Sequence, residues 1–130
     1  MRCANEETVM PRVLIVEDAP FIREMIKDIL ESHDYTVVGE ASNGLEAIER
    51  YEALKPDVVL MDILMPGMDG LSAITKIREI DSSAKIIVVS ALVKETLKKE
   101  ALRAGAADFV AKPFQVEKLL DSVRSVAPVS

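Results

Sequence analysis

The stretch Asp57-Val-Val-Leu-Met-Asp62-Ile-Leu-Met-Pro66-Gly67-Met-Asp69-Gly70 decides how this chain folds. Val58 to Met61 is an unbroken apolar run, the pattern of a strand buried on both faces of a parallel sheet, and Asp62 follows it directly. A carboxylate therefore stands at the carboxyl end of a strand. Pro66, Gly67 and Gly70 carry the chain out of the sheet through a loop, and Asp69 is placed to cap a helix whose stripe is Leu71, Ile74 and Ile77. In open α/β sheets, ligands bind outside the carboxyl ends of the strands.

The same alternation extends in both directions. Val13 to Val16 reads as a first strand ending at Glu17 and Asp18. Pro20 suits the first turn of the helix that follows, with Ile22, Met25, Ile26, Ile29 and Leu30 on one face. Tyr35 to Glu40 is a second, less apolar strand, expected at an edge. Asn43 caps the second helix with Glu46 three residues on, in the spacing of a capping box, and Ala47, Ile48, Tyr51 and Leu54 form its stripe. Lys85 to Val89 is strand four, stopping at Ser90. Helix four spans Glu95 to Ala104 with Gly105 as its stop, and Phe109 to Ala111 form strand five, closed by Lys112-Pro113. Helix five carries Val116, Leu119, Leu120 and Val123. Residues 1–10 have no period and read as a flexible leader, with Met10 a candidate natural start; residues 11–127 form the folded domain and 128–130 a tail.

Strands alternating with helices predict a doubly wound (βα)5 domain, a three-layer α/β sandwich with right-handed crossovers. The economical strand order is 2-1-3-4-5. With all strands parallel, Glu17, Asp18, Asp62, Ser90 and Lys112 arrive at one edge. Neighbouring strands lie about 4.8 Å apart, so Asp18 and Asp62 share one small cleft if strands one and three are adjacent. Two like charges 4 Å apart repel by about 4 kcal/mol at an effective dielectric of about 20, so an uncompensated cluster would raise its own pKa values or bind a cation. Oxygen ligands in an open cleft favour Mg²⁺ over a caged Ca²⁺. Such a site suits phosphoryl chemistry: Asp62 as nucleophile, with the Ser90 hydroxyl and Lys112 ammonium on the phosphoryl oxygens.

Composition narrows the alternatives. The chain has 130 residues, 49% of them hydrophobic and 29% charged, enough for one domain with a real core. No run approaches a membrane span, and the leader lacks the apolar middle of a secretory signal, so the expected location is the cytoplasm. Cys3 is the only cysteine, which excludes an internal disulfide. The net charge of −6 argues against nucleic acid as a partner, although residues 91–130 carry seven Lys/Arg against five Asp/Glu. His33, the single histidine, has no second histidine to complete a metal site and reads as surface filler.

Glu17-Asp18, Asp62 with Met65-Pro66-Gly67-Met68-Asp69-Gly70, Ser90-Ala91 and Lys112-Pro113-Phe114 together resemble the motif set of receiver domains of two-component response regulators. The resemblance covers nearly all of the chain after residue 10, and is nearest to the single-domain members that serve chemotaxis. It implies a flavodoxin-like fold, and the strand order above is partly inherited from it. It also implies Asp62 as the phosphoacceptor, a histidine kinase as donor, and Mg²⁺ held by Glu17, Asp18, Asp62 and the Leu64 backbone carbonyl. Ser90 and Phe109 match the family's switch pair, and Lys112-Pro113 its cis peptide. The output face would be helix four, strand five and helix five, with Lys94, Lys98, Lys99, Phe109 and Lys118, read by a downstream target such as a motor switch or an adaptor. A monomer that can dimerise on phosphorylation is expected. Leu64 and Leu92 flank the site and are expected to restrict attacking water. A phosphorelay intermediate and a receiver excised from a longer regulator remain as alternatives. A phosphohydrolase of similar topology is a weaker one, because Leu64 stands where its second aspartate belongs. No recognition helix follows helix five, so no DNA-binding output is expected.

Overall fold

The computed structural model describes residues 10–64, 70–91 and 94–129. Five parallel strands form one sheet: β1 (Arg12–Val16), β2 (Thr36–Ala41), β3 (Val58–Met61), β4 (Ile86–Ser90) and β5 (Asp108–Ala111), in the order β2-β1-β3-β4-β5. They alternate with α1 (Pro20–Glu31), α2 (Gly44–Leu54), α3 (Gly70–Ile80), α4 (Glu95–Ala104) and α5 (Val116–Val126). This is the doubly wound order expected from the sequence. The expected helix cap Asp69, the loop residues Met65 to Met68, Leu92 and the leader as far as residue 9 lie outside the described residues.

Both faces of the sheet are covered, because the strands present apolar side chains to both sides. Leu14, Val16, Val59, Met61, Ile86 and Val88 face α2, α3 and α4, packing on Ala47, Tyr51, Ala73, Ile74, Ile77 and Ala101. The intervening residues Val13, Ile15, Val58, Leu60, Ile87 and Val89 face α1 and α5, packing on Ile26, Leu30, Leu119, Leu120 and Val123. Each fully buried Leu or Ile contributes about 1.5–3 kcal/mol. Truncating one in the middle layer, as in Leu60→Ala, is expected to cost about 2–5 kcal/mol.

Several local expectations need correction. The spacing places Met25 on the buried stripe of α1 and Val116 on that of α5, but they are 37% and 42% exposed. The buried stripe of α1 is narrow, with Ile26 and Leu30 at its centre and Ile22 and Ile29 only partly buried beside it. Val116 is the first residue of α5, ahead of the turn that reaches the sheet. The α2 cap also differs from a simple box. Asn43 Oδ1 accepts from the Glu46 N–H at 2.9 Å as expected, but Glu46 Oε1 reaches back to Ser42, accepting from its N–H at 2.9 Å and its hydroxyl at 3.1 Å. Those two bonds to Ser42 hold the Glu46 carboxyl below its ordinary pKa. At the edge, β2 carries a bulge: Val13 pairs with Val37 and Leu14 with Gly39, so Val38 is the extra residue. Gly105 ends α4 at φ 120°, a left-handed conformation that a side chain would strain.

Candidate functional site

The pleat determines which strand-end side chains meet. On β1, β3 and β5, Ile15, Leu60 and Val110 face α1 and α5. Two residues further on, Glu17, Asp62 and Lys112 therefore project from that same face. The ladder continues past each strand to hold them: the Glu17 N–H donates to Ala41 O at 2.9 Å, the Asp62 N–H to Val16 O at 3.0 Å and the Lys112 N–H to Ser90 O at 2.8 Å. The Lys112 ammonium donates to Glu17 Oε1 and, at 3.2 Å, to Asp62 Oδ2. Residues 45 and 50 positions apart in this β-strand frame thus converge without any local sequence signal linking them.

Glu17 and Asp62 are buried, whereas Asp18 is exposed at the mouth of the cleft. Carboxylate oxygens of all three lie within 4.8 Å of one another. The remaining Asp62 oxygen, Oδ1, accepts from the Leu64 N–H at 2.9 Å, and Glu17 Oε2 accepts from the Ala19 N–H at 3.2 Å. Burial pushes the Glu17 carboxyl above its ordinary pKa, even though Lys112 and the Ala19 N–H pull it down. Burial alone would lower the Lys112 pKa, but its bonds and attraction to Glu17 and Asp62 outweigh this and raise it. One ammonium thus serves two of three carboxylates, leaving an acidic cluster of oxygen donors that suits a hard divalent cation.

Ser90 and Phe109 belong to the other parity. Ser90 is fully buried two residues after Val88, and Phe109 pairs in register with Val88, half-buried against the core on the α2, α3 and α4 face of the sheet. The two lie on one face of the sheet, diagonally across β4 and β5. The Lys112-Pro113 peptide bond is cis. Leu64 follows the site with its side chain 49% exposed. Lys94 precedes α4 and is exposed, as are Lys99 and Lys118, while Lys98 is half-buried. Phe109 and Lys118 line a groove of about 630 Å³ between β5 and α5 with Phe114, Gln115 and Ser122. His33 binds Ile29 O through Nδ1 at 2.8 Å, away from the cleft.

Sequence reading did not single out Arg23 or Glu40. Arg23 Nη1 donates to the Glu17 backbone carbonyl and its Nε to Glu40 Oε1, each at 2.8 Å. The signal available was slight: an arginine one turn into a helix and a glutamate near the end of an edge strand, with nothing to connect them.

This is a flavodoxin-like domain with an acidic, lysine-bridged cleft at the carboxyl edge of its sheet. The chain belongs to the response regulator receiver domain family, whose model matches residues 13–124. It is 52% identical to the chemotaxis protein CheY of Thermotoga maritima over 116 residues, 89% of this chain and 97% of the relative. It is 48% identical to CheY of Bacillus subtilis over 86% of this chain and 93% of that relative. Among solved structures, the response regulator domain of Thermotoga maritima CheB superposes with TM-score 0.85 at 40% identity, covering 91% of this chain and 96% of that one. CheY in a CheX-CheY-BeF3-Mg²⁺ complex from Borrelia burgdorferi superposes with TM-score 0.86 at 38% identity, over 88% of this chain and 87% of the other. Receiver domains of this family are signalling switches. Among the described residues, no helix is long and apolar enough to cross a membrane.

Proposed function

We propose that this chain is a cytoplasmic chemotaxis response regulator, with residues 11–127 as its receiver unit, that takes a phosphoryl group from a histidine kinase onto Asp62. The observation that carries the reading is the Lys112 ammonium held between buried Glu17 and Asp62 beside exposed Asp18. A chain built only for packing has no use for three carboxylates at one strand edge.

In this reading an Asp62 oxygen attacks phosphorus, its P–O bond forming as the P–N bond to the donor histidine breaks and the imidazole leaves. Glu17, Asp18, Asp62 and the Leu64 carbonyl would hold Mg²⁺, which would neutralise charge on the phosphoryl oxygens. Lys112 gives up part of its hold on Asp62 and donates to one of those oxygens, and Ser90 donates to another. Burial of Asp62 limits the access of water, and Leu64 covers its approach. Drawing Ser90 toward the phosphoryl group changes the space beside Phe109, which turns and remodels the face formed by α4, β5 and α5. Lys94, Lys98, Lys99 and Lys118 give that face a positive character suited to an acidic segment of a downstream target.

Amide NMR of the chain with and without beryllofluoride and Mg²⁺ tests the switch. Shifts that run from Asp62 through Ser90 and Phe109 to Lys99 and Lys118 are expected. Shifts confined to the cleft would contradict it, leaving phosphate acceptance without an output, as in a relay intermediate.

A further inference from the structure

We infer that Arg23 is a positioning residue that presents the carboxylates of the β1–α1 turn to the bound cation. The inference rests on the Mg²⁺ reading above.

The Glu17 backbone is held at both of its polar groups. Its N–H donates to Ala41 O of β2 at 2.9 Å, and its carbonyl accepts from Arg23 Nη1 at 2.8 Å. That carbonyl belongs to the peptide plane joining Glu17 to Asp18, so fixing it sets the direction in which the chain presents Asp18. Asp18 is exposed and depends on its backbone for placement, whereas the Glu17 carboxylate is tied by Lys112 and the Ala19 N–H. Arg23 is itself held in place. Its Nε donates to Glu40 Oε1 at 2.8 Å, whereas Lys27, 3.9 Å from the other Glu40 oxygen, is beyond hydrogen-bonding reach and contributes charge alone. A planar guanidinium can span Glu40 and the Glu17 carbonyl at once, whereas an ammonium on a flexible stem lacks that fork.

Charge and positioning predict opposite signs. Arg23 is a cation near an acidic cluster, so if it acted by charge alone, neutralising it would tighten Mg²⁺ binding. If it positions the turn, neutralising it weakens binding, by about 10-fold on the scale of residues that orient metal ligands.

Mg²⁺ is titrated calorimetrically into the unphosphorylated parent chain and into Arg23→Gln, Arg23→Lys, Glu40→Gln and Lys27→Gln, with thermal unfolding recorded in parallel. The expected result is a Kd about 10-fold weaker for Arg23→Gln, a partial loss for Arg23→Lys and Glu40→Gln, and no weakening for Lys27→Gln, the charge control. Unchanged or tighter binding by folded Arg23→Gln would overturn the inference while leaving the Mg²⁺ reading intact. No binding by the parent would overturn that reading and this inference with it. If Arg23→Gln fails to fold, Arg23→Lys and Glu40→Gln decide: parent-like affinity in both overturns the proposal.

Discussion

The two edges of the sheet use charge in different ways. At the amino edge, acceptors are met by hydrogen-bond donors. Asp57 accepts from the Arg12 N–H at 2.7 Å, Arg12 Nη1 donates to Lys55 O at 3.0 Å, Tyr51 donates to Asp81 at 2.8 Å, and Tyr35 donates to Ala127 O at 2.9 Å. At the carboxyl edge one lysine bridges two of three clustered carboxylates, Glu17 and Asp62, leaving Asp18 without it, and burial disfavours the charge on Glu17. The first edge closes loops onto the sheet. The second keeps an electrostatic imbalance that, on the proposed function, an incoming cation and phosphoryl group resolve, and a domain can maintain it only because the rest of the fold is well packed.

Substitutions at the two edges should therefore separate stability from function. The largest effect is expected at Asp62: Asp62→Asn should abolish phosphoryl acceptance with acetyl phosphate while leaving the unfolding midpoint equal or higher, as one of three crowded carboxylates is neutralised. Lys112→Ala comes next. It leaves Glu17 and Asp62 facing each other without their shared cation, and should destabilise the chain by about 1–3 kcal/mol at neutral pH. Added Mg²⁺ should restore much of that loss, which denaturant titrations with and without the ion would read. Leu64→Asn should speed loss of the phosphoryl group several-fold in a dephosphorylation time course; an unchanged lifetime would remove Leu64 from the control of water.

The amino edge should respond in stability alone. Tyr35→Phe removes a buried hydrogen bond to Ala127 and should cost about 1–2 kcal/mol with phosphorylation unaffected. The smallest effect is that of Asp81, whose carboxyl is held below its ordinary pKa by Ser83 first and then Tyr51. A depressed folded pKa contributes stability that is present above the unfolded value of about 4 and lost as pH falls through the lower folded one. Urea midpoints at neutral pH and near pH 3 should converge between the parent and Asp81→Asn on acidification.

Much of this was legible in the chain before any coordinates. Apolar runs such as Val58 to Met61 and Ile86 to Val89 carry the pattern of interior parallel strands, and each is followed by a polar residue, Asp62 and Ser90. The site followed because parallel strands deliver their ends to one edge. What sequence could not supply were pairings between elements. That Lys112 bonds Glu17 as well as Asp62 follows from pleat parity on three strands, and the Arg23 bridge depends on how α1 crosses β2. Met25 and Val116 were misplaced for a related reason: periodicity identifies a helix face, but the width of the covered stripe depends on what packs against it.

The most direct measurement is the intact mass of the chain after incubation with acetyl phosphate, with and without Mg²⁺, for the parent and Asp62→Asn. A gain of one phosphoryl group by the parent alone, and only with Mg²⁺, is predicted. Equal gain by Asp62→Asn, or gain independent of the ion, would contradict an aspartyl switch centred on Asp62.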